Sequence, residues 1–410
     1  MSEIKLGLER IKKLLELLDN PHDKLKFVHV AGTNGKGSTS AITASILREA
    51  GYKTGMFTSP YTDSPTEMMQ INGENINVEI LLRLENVVLQ KMNDMDDLPS
   101  EFECLVAVAF LYFEQQNCDI VVLEVGMGGR LDATNVIGTP EAAILTAIGL
   151  DHMEYLGNDI KSIAAEKAGI VKKGGICISQ PQAPEAEAVI REKCFDVGSR
   201  MQFIDKNDIK PIFFSRTGTR FDYADVRDLS LSLLGKHQLL NAASAIETAK
   251  ALSAAGWEIS NKALRNGLAK AKWPGRFEVV HDKPVFILDA AHNEQAAQVT
   301  VKTLKRLFPN QKITFIYGVL SDKNYEEMTA LLVPIAKTFY TVTPNNPRAL
   351  LARDLAIHIL FAGGTATACD SVKEGVKQAL EASGDDDIIC ALGSLYILGQ
   401  VRYVLESFKK

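Results

Sequence analysis

The chain lacks any apolar run long enough to span a bilayer. Its amino-terminal stretch, MSEIKLGLERIKKLLELLDN, interrupts helically spaced apolar residues with charges instead of building the continuous core of a signal peptide. It also lacks a basic excess. Lys and Arg total 45 against 51 Asp and Glu, a net charge of -6, so no surplus cation is available to neutralise phosphates; this excludes a general nucleic-acid or membrane-surface binder. The six cysteines, at 104, 118, 177, 194, 369 and 390, show no paired metal-ligand spacing and lie mostly in apolar segments, which reads as reduced side chains of a cytoplasmic protein. No internal repeat or low-complexity tract is present. Asp385-Asp386-Asp387 reads as a short acidic loop and Lys172-Lys173 as a solvated turn.

What the chain does have is length and apolar content enough for two cores: 410 residues, 46% of them apolar. Strand-like runs FVHV (27–30), IVVLEV (120–125), AAILTAI (142–148) and ICIS (176–179) recur between helical patterns, the signature of a parallel sheet with crossover helices. Residues 200 to 233 are turn-rich and short-stranded, and read as an antiparallel appendage. A second alternation follows WPGRFE: VFILDA, a helix through 294–307, ITFIYGV, a helix near 325–336, TFYTVTP, a helix near 372–383, and IICALG. The expected fold class is α/β: a P-loop parallel-sheet domain with a small β appendage over residues 1–274, and a smaller Rossmann-like domain over 275–410, divided near Pro274-Gly275.

Residues 30 to 51, VAGTNGKGSTSAITASILREAG, run from a strand through a glycine-rich turn into a helix. Gly32, Gly35 and Gly37 let backbone N–H groups approach an anion, Lys36 adds a point charge, and Ser38 and Thr39 open the helix at its positive end. The natural occupant is a nucleoside triphosphate. Only Thr33 and Asn34 separate Gly32 from the Gly35-Lys36 pair, a spacing shorter than the general phosphate loop.

That variant, Gly-Thr-Asn-Gly-Lys-Gly-Ser, resembles the ATP loop of the Mur ligase superfamily, most closely its folylpolyglutamate synthase and dihydrofolate synthase branch. FTSP (57–60), VVLEVGMGGRLDATNVI (121–137), AIGLDHMEYLG (147–157), AAEKAGI (164–170), LLGKHQLLNAASAI (233–246), WPGRFEVV (273–280), FILDAAHN (286–293) and ALGSLYILGQV (391–401) resemble the same family in its own order. The resemblance implies an ATP-dependent ligase that activates the carboxylate of a folate-type acceptor as an acyl phosphate and joins it to L-glutamate. It further implies two magnesium sites, with Ser59 and Glu124 as ligands to the first and His152 to the second. Lys167, in an otherwise apolar short helix, resembles a lysine that the family carbamylates; pairing with Glu166 or a nearby acid, or binding phosphate unmodified, is the alternative. Arg276 and Asp289 resemble the residues on phosphate and ribose, and Asn241 the residue near adenine. His292 would face the phosphate or the incoming amino acid, and Ser394 either binds that amino acid or caps a helix. A monomer acting on small molecules is expected.

After Ser59-Pro60 the family usually continues with His-Leu and, further on, Glu-Arg-Ile. Here Tyr61 takes the histidine position and Met68-Met69 follow Glu67, while the Asn72-Gly73 turn is kept. Two other readings follow: a ligase for a different carboxylate, with methionines forming an adaptable wall, or a noncatalytic nucleotide-binding descendant. The joint presence of Lys36, Glu124, His152, Lys167, Arg276 and Asp289 speaks against the second.

Overall fold

A computed structural model describes residues 7–408. Eight strands form the first sheet: β1 (Phe27–Ala31), β2 (Thr54–Phe57), β3 (Met69–Ile71), β4 (Glu74–Asn75), β5 (Ile120–Glu124), β6 (Ala142–Leu145), β7 (Ile176–Ser179) and β8 (Arg200–Phe203), in the order β4-β3-β2-β5-β1-β6-β7-β8. All pairings are parallel except the β2-β3-β4 edge. Strands β1, β5 and β6 are buried along their whole length, as their unbroken apolar runs require of a sheet covered on both faces.

A three-stranded antiparallel sheet, β9 (Ile209–Ser215), β10 (Gly218–Tyr223) and β11 (Val226–Leu231), forms the appendage. It is smaller than expected, because residues 200–203 pair in parallel with β7 and close the main sheet instead. The helix Pro184–Asp196 supplies the crossover that a parallel pairing needs.

Six further strands, β12 (Glu278–Asp282), β13 (Val285–Leu288), β14 (Ile313–Tyr317), β15 (Ala336–Thr341), β16 (Ala366–Ala368) and β17 (Ile388–Leu392), form the second sheet in the order β12-β13-β17-β14-β15-β16. Only β12 runs antiparallel. The helix expected near 325–336 stops at Leu332: Pro334 turns the chain through a 3-10 segment, and Ala336 already opens β15. The helix Ala352–Phe361 and strand β16 have no counterpart in the sequence reading.

The helix Lys36–Glu49 is enclosed between the sheet and the helices Gln238–Ala254 and Asn261–Lys270, in one apolar cluster with Ile42, Ile46, Leu239, Ile246 and Leu268. Gly267 permits the closest approach, since a Cβ there would collide with the Ile46 backbone. Five of the six cysteines are buried and Cys104 is half-buried; all are free. Lys172 is a correction to the solvated reading. Its Nζ donates to Asn135 O at 2.8 Å and Ile137 O at 2.6 Å, tying the loop after β5 to the segment before β7, and burial lowers its pKa to about 8. Among the described residues no helix is long and apolar enough to cross a membrane.

The substitution Gly267→Ala forces two helices apart in a filled core, so it is expected to cost about 1–3 kcal/mol. A denaturation midpoint equal to that of the parent chain contradicts the packing described here.

Candidate active site

The carboxyl ends of β1, β5 and β6 lie side by side, and those of β13 and β17 do the same in the second sheet. In open parallel sheets ligands bind at such ends. The residues that follow these strands line a single cavity of about 730 Å3, the volume of a site for a cofactor-sized ligand.

The phosphate loop leaves β1 and is fixed by close contacts where it has no side chains. A Cβ on Gly32 would collide with Thr146, one on Gly35 (φ +93°) would lie 2.6 Å from Asn241 Oδ1, and one on Gly37 would lie 2.6 Å from the Trp273 ring. Thr33 N and Asn34 N both donate to Ala147 O, at 2.8 and 3.2 Å. The helix begins at Lys36 with Gly35 as N-cap and no side chain capping its first turn, which leaves backbone donors for an anion. From the helix Gln238–Ala254, Gln238 Nε2 donates to Ser38 Oγ at 3.2 Å. Asn241 Nδ2 donates to Gln238 Oε1 at 2.8 Å, and Gln180 Nε2 donates to Asn241 Oδ1 at 2.9 Å.

Glu124 ends β5 with its carboxylate buried, Oε1 3.8 Å from Lys36 Nζ and Oε2 without a hydrogen-bond partner. Burial raises its pKa to about 7 against the pull of Lys36, Arg276 and a backbone hydrogen bond from Ser59. Ser59, Lys36 and His152 line the same cavity. His152 sits at the start of a short helix with φ +50° and Nε2 3.9 Å from Asp151 Oδ2; burial lowers its pKa despite that acid.

Lys167 lies behind the loop. Its Nζ donates to Gly32 O at 2.9 Å, and burial, followed by the Lys36 charge, lowers its pKa to about 7. It does not pair with Glu166, which takes Arg130 instead at 2.7 Å. Gly32 and Thr39 likewise lie behind the cavity wall, whereas Thr33, Asn34, Gly35, Gly37, Ser38 and Asn241 line it.

From the second half come Arg276, Asp289, His292 and Ser394, all lining the cavity. Asp289 is buried after β13 and accepts Ala291 N at 2.8 Å; burial raises its pKa to about 6 against the Arg276 charge. His292 Nδ1 bonds Ala290 O at 2.9 Å, and burial lowers its pKa to about 4. Ser394 follows β17 and caps the helix Leu395–Ser407, accepting Tyr396 N at 3.3 Å, so its cavity position and its capping role coexist. Asn34 Nδ2 donates to Gln295 Oε1 at 2.9 Å, which joins the phosphate loop to the second half directly.

One wall is apolar. Tyr61, Met68, Phe102, Leu105 and Ala133 line the cavity and belong to one hydrophobic cluster. Met69 is buried away from the cavity, so a single methionine of the pair contributes to this wall. Glu67 orders the loop that departs from the family pattern: its carboxylate accepts Thr62 N at 2.9 Å, Thr62 Oγ1 at 2.6 Å, Asp63 N at 3.1 Å and Ser64 N at 3.2 Å. Sequence reasoning missed Asp132, Asp151, Gln295, Lys323 and Arg348, which also line the cavity. Asp132 and Asp151 stand inside motifs already singled out, GRLDATN and LDHMEY, while the other three carry no local signal.

Two family descriptions match the chain: the Mur ligase middle domain over residues 30–249, and the Mur ligase, glutamate ligase domain, over 275–395. The dihydrofolate synthase/folylpolyglutamate synthase of Bacillus subtilis (strain 168) is 38% identical over 416 residues, covering 98% of this chain and 96% of that protein. The crystal structure of folylpolyglutamate synthase from Thermotoga maritima matches with a TM-score of 0.88 and 34% identity, over 99% of this chain and 94% of that one. The E. coli FolC protein in complex with DHPP and ADP matches with a TM-score of 0.88 and 31% identity, over 100% of this chain and 96% of that one. Likeness of this extent, in sequence and in structure alike, means that the chain belongs to the folylpolyglutamate synthase/dihydrofolate synthase family of Mur ligases.

Proposed function

We infer that the protein is an ATP-dependent ligase that adds L-glutamate to the carboxylate of a folate-type acceptor. One observation carries this reading: a glycine-rich cradle at an uncapped helix N-terminus, a buried carboxylate and an ordered apolar wall share one cavity with residues from the end of a second sheet. In the proposed reaction an acceptor carboxylate oxygen attacks the γ-phosphorus of ATP, ADP leaves, and the amine of glutamate then displaces phosphate from the acyl phosphate. Lys36 and the uncapped helix N-terminus offset phosphate charge where it develops. Arg276 lies close enough to influence Glu124, Asp289 and His292 together, which suits a cation bridging the two halves over the triphosphate. Asn241 takes the adenine, Asp289 the ribose, and His292 and Ser394 the phosphate or the amino acid. Enclosure between segments 1–274 and 275–410, which we take as the two domains, shields the acyl phosphate from water. We take the protein to act as a monomer.

The donor set suits magnesium. Glu124 offers an unpartnered carboxylate oxygen beside Ser59. One carboxylate plus substrate phosphates is how magnesium is commonly held. His152 would hold a second ion, with a carbamylated Lys167 supporting it. When bound, the metal neutralises phosphate charge. With a pKa near 7 much of the amine is unprotonated, the form that attacks carbon dioxide, which supports the carbamate reading.

Lys36→Ala and Glu124→Ala are each expected to lower glutamate-dependent phosphate release from ATP at least about a hundredfold. Near-parental turnover in either variant removes it from the site. The Lys167 amine is neutral above its pKa of about 7 and a cation below it, so roughly tenfold more reactive amine is present at pH 8 than at pH 6. Enzyme depleted of carbon dioxide is therefore expected to regain activity on bicarbonate addition, and faster at pH 8 than at pH 6 when the dissolved carbon dioxide is held equal. Activity indifferent to bicarbonate at both pH values contradicts the carbamate.

A further inference from the structure

His29 lies on the central strand β1, fully buried, behind the wall that carries Asp132. Its Nε2 is 2.9 Å from Thr134 Oγ1, and Thr134 Oγ1 is 2.5 Å from Asp132 Oδ1. Thr134 N also donates to Asp132 Oδ1 at 3.0 Å, and Met127 N donates to Asp132 Oδ2 at 2.9 Å. Asp132 faces the cavity between Leu131 and Ala133, next to the apolar wall.

A hydroxyl has one proton to give. If Thr134 gives it to Asp132, Thr134 Oγ1 must accept from His29, which requires hydrogen on Nε2. The other tautomer would turn the Thr134 proton toward His29, take it from Asp132, and leave a buried Nδ1–H with no partner, since His29 Nδ1 has none. We propose that His29 is a positioning residue for Asp132: as the Nε2–H tautomer it directs the Thr134 hydroxyl proton onto Asp132, fixing that carboxylate as a pure acceptor for N–H groups at the head of the acceptor substrate. Burial and the nearby Lys172 charge favour the neutral ring, lowering its pKa to about 3. The chain runs under the wall, and the Asp132 charge at its end is felt by Lys36, Glu124 and Lys167. The hydroxyl and the ring act on that carboxylate's hydrogen bonds and not on its charge, so they tune acceptor binding more than ATP binding. The assignment of the apolar wall to the acceptor rests on the proposed function; the hydrogen-bond directions do not.

Two measurements test it separately. Nitrogen-15 NMR of the histidine-labelled full chain is expected to show His29 as the Nε2–H tautomer; the Nδ1–H form overturns the relay whatever the acceptor is. In steady-state kinetics Asp132→Asn is expected to raise the acceptor KM at least about tenfold and the ATP KM by clearly less. An unchanged acceptor KM there overturns the placement of the acceptor against Asp132, and with it the functional half of the proposal. Given an effect of Asp132→Asn, both His29→Leu and Thr134→Val are expected to raise the acceptor KM severalfold. His29→Gln, whose amide reaches the Nε2 position, and Thr134→Ser are expected to restore most of it, and His29→Asn is not. Parental acceptor KM in His29→Leu and Thr134→Val, or equal losses in all four His29 and Thr134 variants just paired, shows a structural role only and overturns the relay. Where a deletion variant does not fold, the tautomer and the Gln and Ser variants still decide.

Discussion

The backbone between β1 and the helix that follows it is fixed by three positions with no room for a side chain. Gly32 lies against Thr146, Gly35 against Asn241 and Gly37 against Trp273, so the loop is gripped by the neighbouring strand, by the helix Gln238–Ala254 and by the segment leading into the second sheet. Lys167 holds the Gly32 carbonyl from behind, and the Ala147 carbonyl takes two loop amides. A cradle held in this way presents its donors without reorganising when an anion arrives, which is where most of the catalytic advantage of such sites originates. The Asn34 contact makes the loop a reporter on the second half of the chain, because Gln295 reaches it from there.

Charge in the cavity is arranged for an occupant that is itself strongly anionic. Lys36 and Arg276 act on Glu124 and Arg276 on Asp289, carboxylates whose burial favours the neutral acid, with Glu124 near 7 and Asp289 near 6. His237 and His292 are held neutral, near 4, by burial first and then by the Arg276 charge. Glu124 balances between desolvation and cations, so a bound divalent ion would decide its state in favour of the carboxylate. The unpartnered oxygen of Glu124 expresses the same imbalance in geometry.

The phosphate loop was legible because glycine spacing is a local property, and strands β1, β5, β6 and β7 because a sheet covered on both faces needs unbroken apolar runs. Long-range partners were not. Lys172 reads as solvated until the chain returns the Asn135 and Ile137 carbonyls to it. Residues 200–203 read as part of the appendage because four residues cannot announce whether their partner is parallel. The role of Ser394 as a cap and its place in the cavity had seemed alternatives, yet a residue after a strand and before a helix satisfies both. Nothing local marks His29, whose side-chain partner Thr134 stands 105 positions away.

The central claim is that the cavity joins an amino acid to a carboxylate at the expense of ATP, with a pterin-bearing acceptor against the apolar wall. Mass spectrometry of products formed from ATP, magnesium and L-glutamate with dihydropteroate, with a tetrahydrofolate monoglutamate, or with no acceptor tests it most directly. The account predicts a pterin product heavier by one or more glutamyl units, formed together with phosphate and absent without acceptor. Phosphate release with both pterins left at their original mass would contradict the acceptor, and nucleotide binding without turnover across a broad set of carboxylates would contradict the ligase itself.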